Sequence, residues 1–93
     1  MADFALEFDE RAGKDLEGLA PKIAEHIAER LLELRKSVKP RGDTIKPLQG
    51  FKIPTLRFWI GDYRAVFRVV EGRAVVLRVV HRSQLDRTLK KLR

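Results

Sequence analysis

The sequence contains no cysteine and only two histidines among its 93 residues. Without cysteine, a disulfide framework and a zinc site built on thiolates are both excluded, and a reducing compartment is favoured. His26 and His81 stand in no cluster of metal ligands. Phosphate-binding loops and the motifs of zinc proteases and serine hydrolases are also missing. We therefore expect no metal and no cofactor.

Long apolar runs are missing as well. No stretch approaches the ~20 apolar residues that are needed to cross a bilayer. The opening Met1-Ala2-Asp3-Phe4 carries an acid in place of the apolar core of a secretory signal. We expect a cytoplasmic protein with no membrane contact. With 44% hydrophobic and 35% charged residues, the chain is predicted to form one globular domain over residues 1–93.

The charge of the chain is strongly positive. Twenty Lys and Arg stand against thirteen Asp and Glu, which gives a net charge of +7. An excess of this size on a small domain favours a polyanionic partner such as nucleic acid, the ribosome, a membrane surface or an acidic protein. The alternative is a soluble surface that is basic without a specific partner.

The first half of the sequence predicts a strand followed by two helices. In residues 3–8 the large apolar side chains stand at every second position, as in a half-buried strand. Asp9 is placed to cap a short helix, and Pro21 suits the first turn of a second helix. Joined so closely, the two helices are predicted to form an antiparallel hairpin. The second helix has an apolar stripe at helical spacing: Ile23, Ile27, Leu31, Leu34 and Val38.

The second half predicts a loop, three strands and a short C-terminal helix. The loop runs from about Lys39 to Gly50, and Gly61-Asp62 and Glu71-Gly72 are tight-turn signals. The element order is β-α-α-β-β-β-α. We therefore predict an α/β (α+β) fold: a curved antiparallel sheet of about four strands, with the helix hairpin on one face. The last three strands are expected at Ile53 to Ile60, Tyr63 to Val70, and Arg73 to about His81.

The two tight turns also assign the faces of the sheet. If Ile60 opposes Tyr63 and Val70 opposes Arg73, an apolar face forms beneath the helices, and Arg78 is its one misfit. This face contains Leu56, Phe58, Ile60, Tyr63, Ala65, Phe67, Val69, Ala74, Val76 and Val80. The opposite face, here called the arginine face, contains Arg57, Trp59, Arg64, Arg68 and Arg73, with Val66, Val70, Val75, Leu77, Val79 and His81 among them.

Several arginines on one face of a sheet suggest a phosphate site. Arg57, Arg64 and Arg82 could form a clamp, because guanidinium groups bind phosphate through paired hydrogen bonds and stay charged. Trp59 beside Arg64 offers a stacking plane for a base or for the guanidinium itself. The alternative is that these arginines are solvated strand residues that shield an open sheet, and the pattern alone does not decide between the two.

Three segments resemble the RelE/ParE toxins of type II toxin–antitoxin systems, with the RelE-like branch favoured. Leu56 to Arg64, which reads L-R-F-W-I-G-D-Y-R, is similar to their R-x-x-x-G-D-Y-R segment. Lys46 to Gly50 is similar to the preceding K-x-L-x-G element, and Val79 to Arg82 to the strand end V-x-H-R. The order and length of the predicted elements agree over nearly the whole chain.

The resemblance implies a ribosome-dependent endoribonuclease that cuts mRNA in the A site. In the nuclease branch the ribose 2′-hydroxyl attacks the scissile phosphate without a metal, while basic side chains hold that phosphate. Arg64 matches the arginine that stabilises the phosphate, and Arg82 matches the second basic residue of the catalytic set. The expected substrate-binding residues, some of them supporting charges, are Lys46, Lys52, Arg57, Trp59 and Arg68.

The sequence departs from the nuclease pattern after His81-Arg82. Nuclease members often place a tyrosine a few residues later, where this chain has Asp86. Because histidine transfers protons near neutral pH, His81 could replace that tyrosine as a catalytic residue. It could equally be a structural residue at a strand end. Two alternatives stay open: a ParE-like toxin that poisons DNA gyrase, which shares the fold, and a catalytically weak nucleic-acid-binding homologue.

The resemblance implies partners as well. These are a cognate acidic antitoxin, the ribosome and mRNA, with DNA contacted only indirectly through an antitoxin complex. In this family an antitoxin segment often covers or displaces the C-terminal helix. Leu85, Leu89 and Arg87 are therefore the expected antitoxin-binding residues, and the basic groups of this helix would suit an acidic tail.

Overall fold

The structure is a computed structural model that describes residues 3–93. Met1 and Ala2, which belong to the segment where no secretory signal is expected, lie outside the described residues. None of the helices in the described range is long and apolar enough to cross a membrane. The elements are β1 (Ala5–Phe8), α1 (Glu10–Glu17), α2 (Pro21–Leu31), a 3₁₀ turn (Leu32–Arg35), β2 (Ile45–Leu48), β3 (Thr55–Ile60), β4 (Tyr63–Val70), β5 (Arg73–His81), a second 3₁₀ turn (Arg82–Gln84) and α3 (Leu85–Leu92).

The strands form one sheet in the order β1-β5-β4-β3-β2, which confirms the predicted α+β class and corrects its details. The sheet has five strands, since β2 lies inside the segment predicted as a loop. Pro47 of β2 is compatible with this position because β2 is an edge strand, where a missing N–H costs no ladder hydrogen bond. β1 runs parallel to β5, so the sheet is mixed and not purely antiparallel.

Local signals in the sequence explain the helices. The Asp9 side chain accepts a hydrogen bond from the backbone N–H of Arg11 and caps α1, as expected. Pro21 occupies the first turn of α2, where its missing N–H is harmless. The predicted apolar stripe of the second helix is longer than the helix itself. The 3₁₀ turn ends at Arg35, and Val38 lies in a non-helical segment beyond it but still packs partly on the core.

The main core lies between the helices and one face of the sheet. Phe58 and Phe67 are fully buried there, on the face that the turns assigned to the helices. Burial of aromatic and aliphatic side chains is the dominant stabilising contribution in a domain of this size. The other buried members of the cluster are Ala12, Ile27, Leu31, Leu34, Ile45, Leu56, Ile60, Ala65, Ala74, Val76 and Val79.

A second, smaller cluster lies on the arginine face. Leu89 of α3 is buried against Val66 and Leu77 of the sheet, and Leu85 and Leu92 of the same helix pack around them. The helix therefore covers part of the arginine face, and the basic side chains are left at its two ends and along β3.

A bulge in β5 changes the predicted faces. Val66 opposes Arg78, yet the next residue, Phe67, opposes Val76, so Leu77 is the extra residue. Every β5 residue beyond a bulge is displaced by one position relative to the partner strand. Arg78 is therefore no longer a misfit on the apolar face.

The bulge also moves the end of β5. Val79 opposes Ala65 and joins the main core, while Val80 opposes Arg64. His81 opposes Tyr63 and shares its face. The predicted faces of Val79, Val80 and His81 were therefore wrong.

One carboxylate takes the place of a missing neighbour strand. β1 pairs with β5 only as far as Val76. From residue 77 to residue 81, the edge of β5 that faces away from β4 has no strand beside it within the described residues. Asp15 of α1 accepts a hydrogen bond from the Val79 N–H at 2.9 Å. Its two oxygens also accept from Nε and Nη2 of Arg78, at 2.8 and 3.1 Å. The hydrogen bond to Asp15 raises the pKa of Arg78.

Candidate functional site

Sheet register places four of the predicted site residues together on the arginine face. Lys46 of β2 opposes Arg57 of β3, and Trp59 of β3 opposes Arg64 of β4. Arg57 and Trp59 are two residues apart on one strand, so they point to the same face. The four side chains therefore form one patch across three strands.

Trp59 links the two arginines of this patch. The guanidinium carbon of Arg57 lies 4.8 Å from the centre of the Trp59 ring, and that of Arg64 lies 4.6 Å away. Tryptophan is the aromatic side chain that attracts cations most strongly. Trp59 is 39% exposed, so part of its surface is open to a ligand. One indole thus holds two positive charges close together at an accessible surface.

Arg64 is further fixed by the turn that precedes it. Its Nη1 donates to the carbonyl oxygens of Gly61 at 2.8 Å and Tyr63 at 2.9 Å. Gly61 has a positive φ of 58°, which the tight turn requires and glycine adopts without strain. Nε and Nη2 of Arg64 make no hydrogen bond within the described part of the chain, so both are free to donate to a ligand. The guanidinium is positioned before any ligand arrives.

Arg82 adds a further positive charge. Its backbone N–H donates to the carbonyl oxygen of Asp62 at 2.7 Å, and its Nε lies 3.6 Å from the Asp62 carboxylate. Burial lowers the pKa of Arg64, and the charges of Arg57 and Arg82 lower it further against the opposing effect of Asp62. Crowded positive charge of this kind favours binding of an anion.

Asp43 is the residue of the site that sequence reasoning missed. Its carbonyl oxygen accepts from Nη1 of Arg57 at 2.9 Å, and its carboxylate lies 2.7 Å from Nζ of Lys46. The hydrogen bond from Lys46 lowers the pKa of Asp43. Asp43 thus anchors two of the basic side chains. It stands in a Gly-Asp-Thr stretch of the predicted loop, with no local sign of this role.

The structure does not bring His81 to the arginine patch. Its ring contacts that of Tyr63 edge to face, with the ring centres 5.6 Å apart. Since Tyr63 and Arg64 are neighbours on a strand, His81 lies across the sheet from Arg64. Its Nδ1 accepts from the Ser83 N–H at 3.2 Å and lies 2.8 Å from the Ser83 hydroxyl. This geometry fits the structural alternative, in which His81 caps the 3₁₀ turn that carries Arg82.

Two other predicted substrate residues lie at the far end of the arginine face. Arg68 opposes Thr55 at the start of β3, and Lys52 precedes that strand. Both line a groove together with Arg93, at the opposite end of α3 from Arg82. The predicted substrate set is therefore divided into two groups.

The three predicted antitoxin-binding residues differ in accessibility. Leu89 is 4% exposed, and Leu85 is half-buried in the same cluster. Arg87 is exposed. A partner would reach Arg87 and part of Leu85 directly, whereas Leu89 becomes accessible only when α3 leaves the sheet.

Comparison with known proteins supports the resemblance found in the sequence. The family model described as ParE toxin of type II toxin–antitoxin system, parDE, matches residues 6–86. No curated protein matches the chain.

Solved structures give the same result. A chain in the RelBE2 toxin–antitoxin complex of Mycobacterium tuberculosis is 27% identical with a TM-score of 0.74, covering 85% of this chain and 98% of that chain. The isolated RelE toxin of E. coli is 27% identical with a TM-score of 0.67, covering 97% and 99%. A chain of the intact E. coli RelBE complex is 28% identical with a TM-score of 0.68, covering 84% and 95%. These neighbours support the RelE-like branch, and the family match shows that the chain belongs to the ParE toxin family of type II toxin–antitoxin systems.

Proposed function

We propose that the chain is a ribosome-dependent endoribonuclease that cuts mRNA in the A site. The observation that carries the proposal is the way in which the Arg64 guanidinium is held in place. Its guanidinium is held by two carbonyl oxygens and the Trp59 ring, while Nε and Nη2 remain available beside further cations. Such a group is ready to bind a phosphate through paired hydrogen bonds.

The proposed reaction is an attack by the ribose 2′-hydroxyl on the adjacent phosphorus. A bond forms between O2′ and phosphorus as the bond to O5′ breaks, and the proton lost from O2′ is balanced by one gained at O5′. Negative charge increases on the non-bridging oxygens in the transition state. A preorganised guanidinium aimed at that charge accelerates the step.

The neighbouring side chains have distinct parts in this proposal. Arg82 and Arg57 add positive charge around the phosphate, and Lys46 adds a further positive charge beside Arg57, on the next strand. Trp59 offers its exposed ring as a stacking surface for a base. These residues stabilise charge and orient the phosphate. His81 lies on the other face of the sheet, and we assign proton transfer to none of the residues of the patch.

The nuclease is tested with the purified protein and a message bound to ribosomes. We expect new 5′ ends at A-site codons in the presence of ribosomes and no cleavage of the same message alone. The family model that matches is that of ParE, so gyrase poisoning is the second candidate. Failure to cut on ribosomes, together with trapped gyrase on supercoiled plasmid, would establish that second function.

We also propose a cognate acidic antitoxin as partner. The similar chains from M. tuberculosis and E. coli were crystallised in toxin–antitoxin complexes. The net charge of +7 suits an acidic segment, and contact with DNA would occur only through the complex. A ribosomal target implies that the protein acts in the cytoplasm.

Co-expression with the neighbouring open reading frame tests the partner. We expect the two proteins to co-purify at moderate salt, because oppositely charged surfaces attract at close range. The association rate is expected to fall as salt is added, since steering between exposed charges is screened beyond about 10 Å at 0.1 M salt. Two soluble proteins that form no complex would contradict the proposal.

A further inference from the structure

A groove lies at the far end of the arginine face, between the C-terminal end of α3 and the segment before β3. Its volume is about 350 Å³. The side chains that line it include three cations, and no acidic side chain lines it within the described residues. The side chains that line the groove are those of Phe51, Lys52, Ile53, Arg68, Leu92 and Arg93.

Arg68 is held in this groove by a buried hydroxyl. Its Nε donates to Oγ1 of Thr55 at 3.0 Å, and that hydroxyl donates to the carbonyl oxygen of Ile53 at 2.8 Å. Thr55 is only 1% exposed, so the hydrogen-bonded chain is fixed. The guanidinium carbon lies 5.9 Å from the centre of the Phe51 ring. A guanidinium over a ring keeps its in-plane N–H groups available for an anion.

Arg93 approaches the same ring from the helix end. Its guanidinium carbon lies 5.3 Å from the Phe51 ring centre, and its Nε and Nη2 donate to the Gln49 carbonyl oxygen at 3.4 and 3.2 Å. Gly50 has a positive φ of 85°, which glycine adopts without strain, and a Cβ atom there would lie 3.0 Å from Nε of Arg93. The groove thus presents two fixed guanidinium groups beside the exposed apolar side chain of Ile53.

The groove and the arginine patch lie on the same face of the sheet, at opposite ends of β3. Trp59, Arg57 and Thr55 follow one another at two-residue intervals on the same face, and Arg68 lies over Thr55. Four strand residues span about 13 Å. Stacked nucleotides of one strand rise about 3.4 Å each, so a few nucleotides cover that distance.

We infer that this groove is a second binding subsite for single-stranded RNA, which holds a phosphate and an apolar base surface a few nucleotides from the scissile phosphate. The inference rests on the proposed function for its ligand. Arg68, Arg93 and Lys52 bind the phosphate, and Ile53 contacts the base. RNA is favoured over an acidic peptide because the groove and the patch lie on the same face of the sheet, at a separation that a few nucleotides cover.

The test measures binding of uncleavable, 2′-O-methylated single-stranded oligoribonucleotides to the whole protein. Wild type is expected to bind an oligonucleotide long enough to reach both sites more tightly than one limited to the patch. The variant Arg68→Gln/Arg93→Gln is expected to bind the long one about tenfold more weakly, as for removal of a charge-assisted hydrogen bond. Its salt slope should be smaller by about 0.7 for each phosphate that it no longer neutralises. Lys22→Gln removes one exposed cation of α2, away from the groove, and serves as a control that should change neither the affinity nor the slope.

Each other outcome has a defined meaning. Equal affinity for short and long oligonucleotides, or an unchanged salt slope in the double variant, overturns the subsite. The same holds if the double variant binds RNA normally and loses binding to an acidic peptide, since the groove would then serve the antitoxin. If the binding results are as expected but the protein cuts no mRNA on ribosomes, the subsite stands and the nuclease proposal is wrong. Failure of the subsite and failure of the nuclease can therefore be told apart.

Discussion

Cleavage of ribosome-bound mRNA is expected to fall about a hundredfold to a thousandfold when Arg64 is replaced by alanine. That is the usual cost of removing one preorganised group that stabilises charge in a transition state. The free energy of unfolding should fall by only about 1 kcal/mol, because the two hydrogen bonds that disappear go to the carbonyl oxygens of Gly61 and Tyr63, one exposed and one part-buried. Initial rates of cleavage and urea unfolding, measured on the same preparations, check both expectations.

Two further variants make the result specific. Arg64→Lys keeps the charge but loses the planar donor pair, so it should recover only part of the rate. Arg73→Ala removes an exposed strand arginine at the other end of the sheet, where it pairs with Glu7, and should cut normally. Full activity in Arg64→Ala with normal stability would show that the catalytic site lies elsewhere in the fold.

The largest effect on stability is expected from Phe58→Ala, at about 3 to 5 kcal/mol. The ring is 0% exposed in the main core. The guanidinium groups of Arg30 and Arg41 lie over it at 5.4 and 6.0 Å, and both donate to Glu33. Removing the ring takes away buried apolar surface and also creates a cavity beneath these ion pairs. Domains of this kind are stable by only about 5–15 kcal/mol, so much of that margin would disappear.

Phe8→Ala is the matched control, since this phenylalanine of β1 is 41% exposed. We expect it to cost less than about 1 kcal/mol, because little apolar surface is removed from a packed environment. Chemical denaturation followed by circular dichroism measures both variants. Similar midpoints for the two would mean that Phe58 is not in the core, and the assignment of the sheet faces would fail with it.

The parts of the fold that local chemistry determines were predictable from the sequence. Gly61-Asp62 and Glu71-Gly72 are turn signals, and both hairpins have the predicted register at their tips. Glu71 and Gly72 take positive φ values of 45° and 77°, as a tight turn between strands requires. From these registers alone, Arg57, Trp59 and Arg64 were placed on one face.

The parts that depend on distant residues were not predictable. The bulge at Leu77 falls in Ala-Val-Val-Leu-Arg-Val-Val, where apolar residues on both sides leave no alternation to mark a shift. The one sign was Arg78, the misfit on the predicted apolar face. Its partner Asp15 lies 63 residues away, so the pairing had no local signal. The parallel pairing of β1 with β5 is non-local in the same way.

The carboxylate of Asp15 has a consequence for how this sheet can meet other chains. An uncovered strand edge presents free N–H and C=O groups on which a foreign strand can be added, and natural proteins block such edges with charge. Past Val76, the N–H of Val79 is already occupied by Asp15, and the charged pair with Arg78 stands where an incoming backbone would have to lie. This half of β5 is therefore closed to β-augmentation and to edge-to-edge aggregation. A strand contributed by another molecule would have to extend the sheet from its outermost members, β1 or β2.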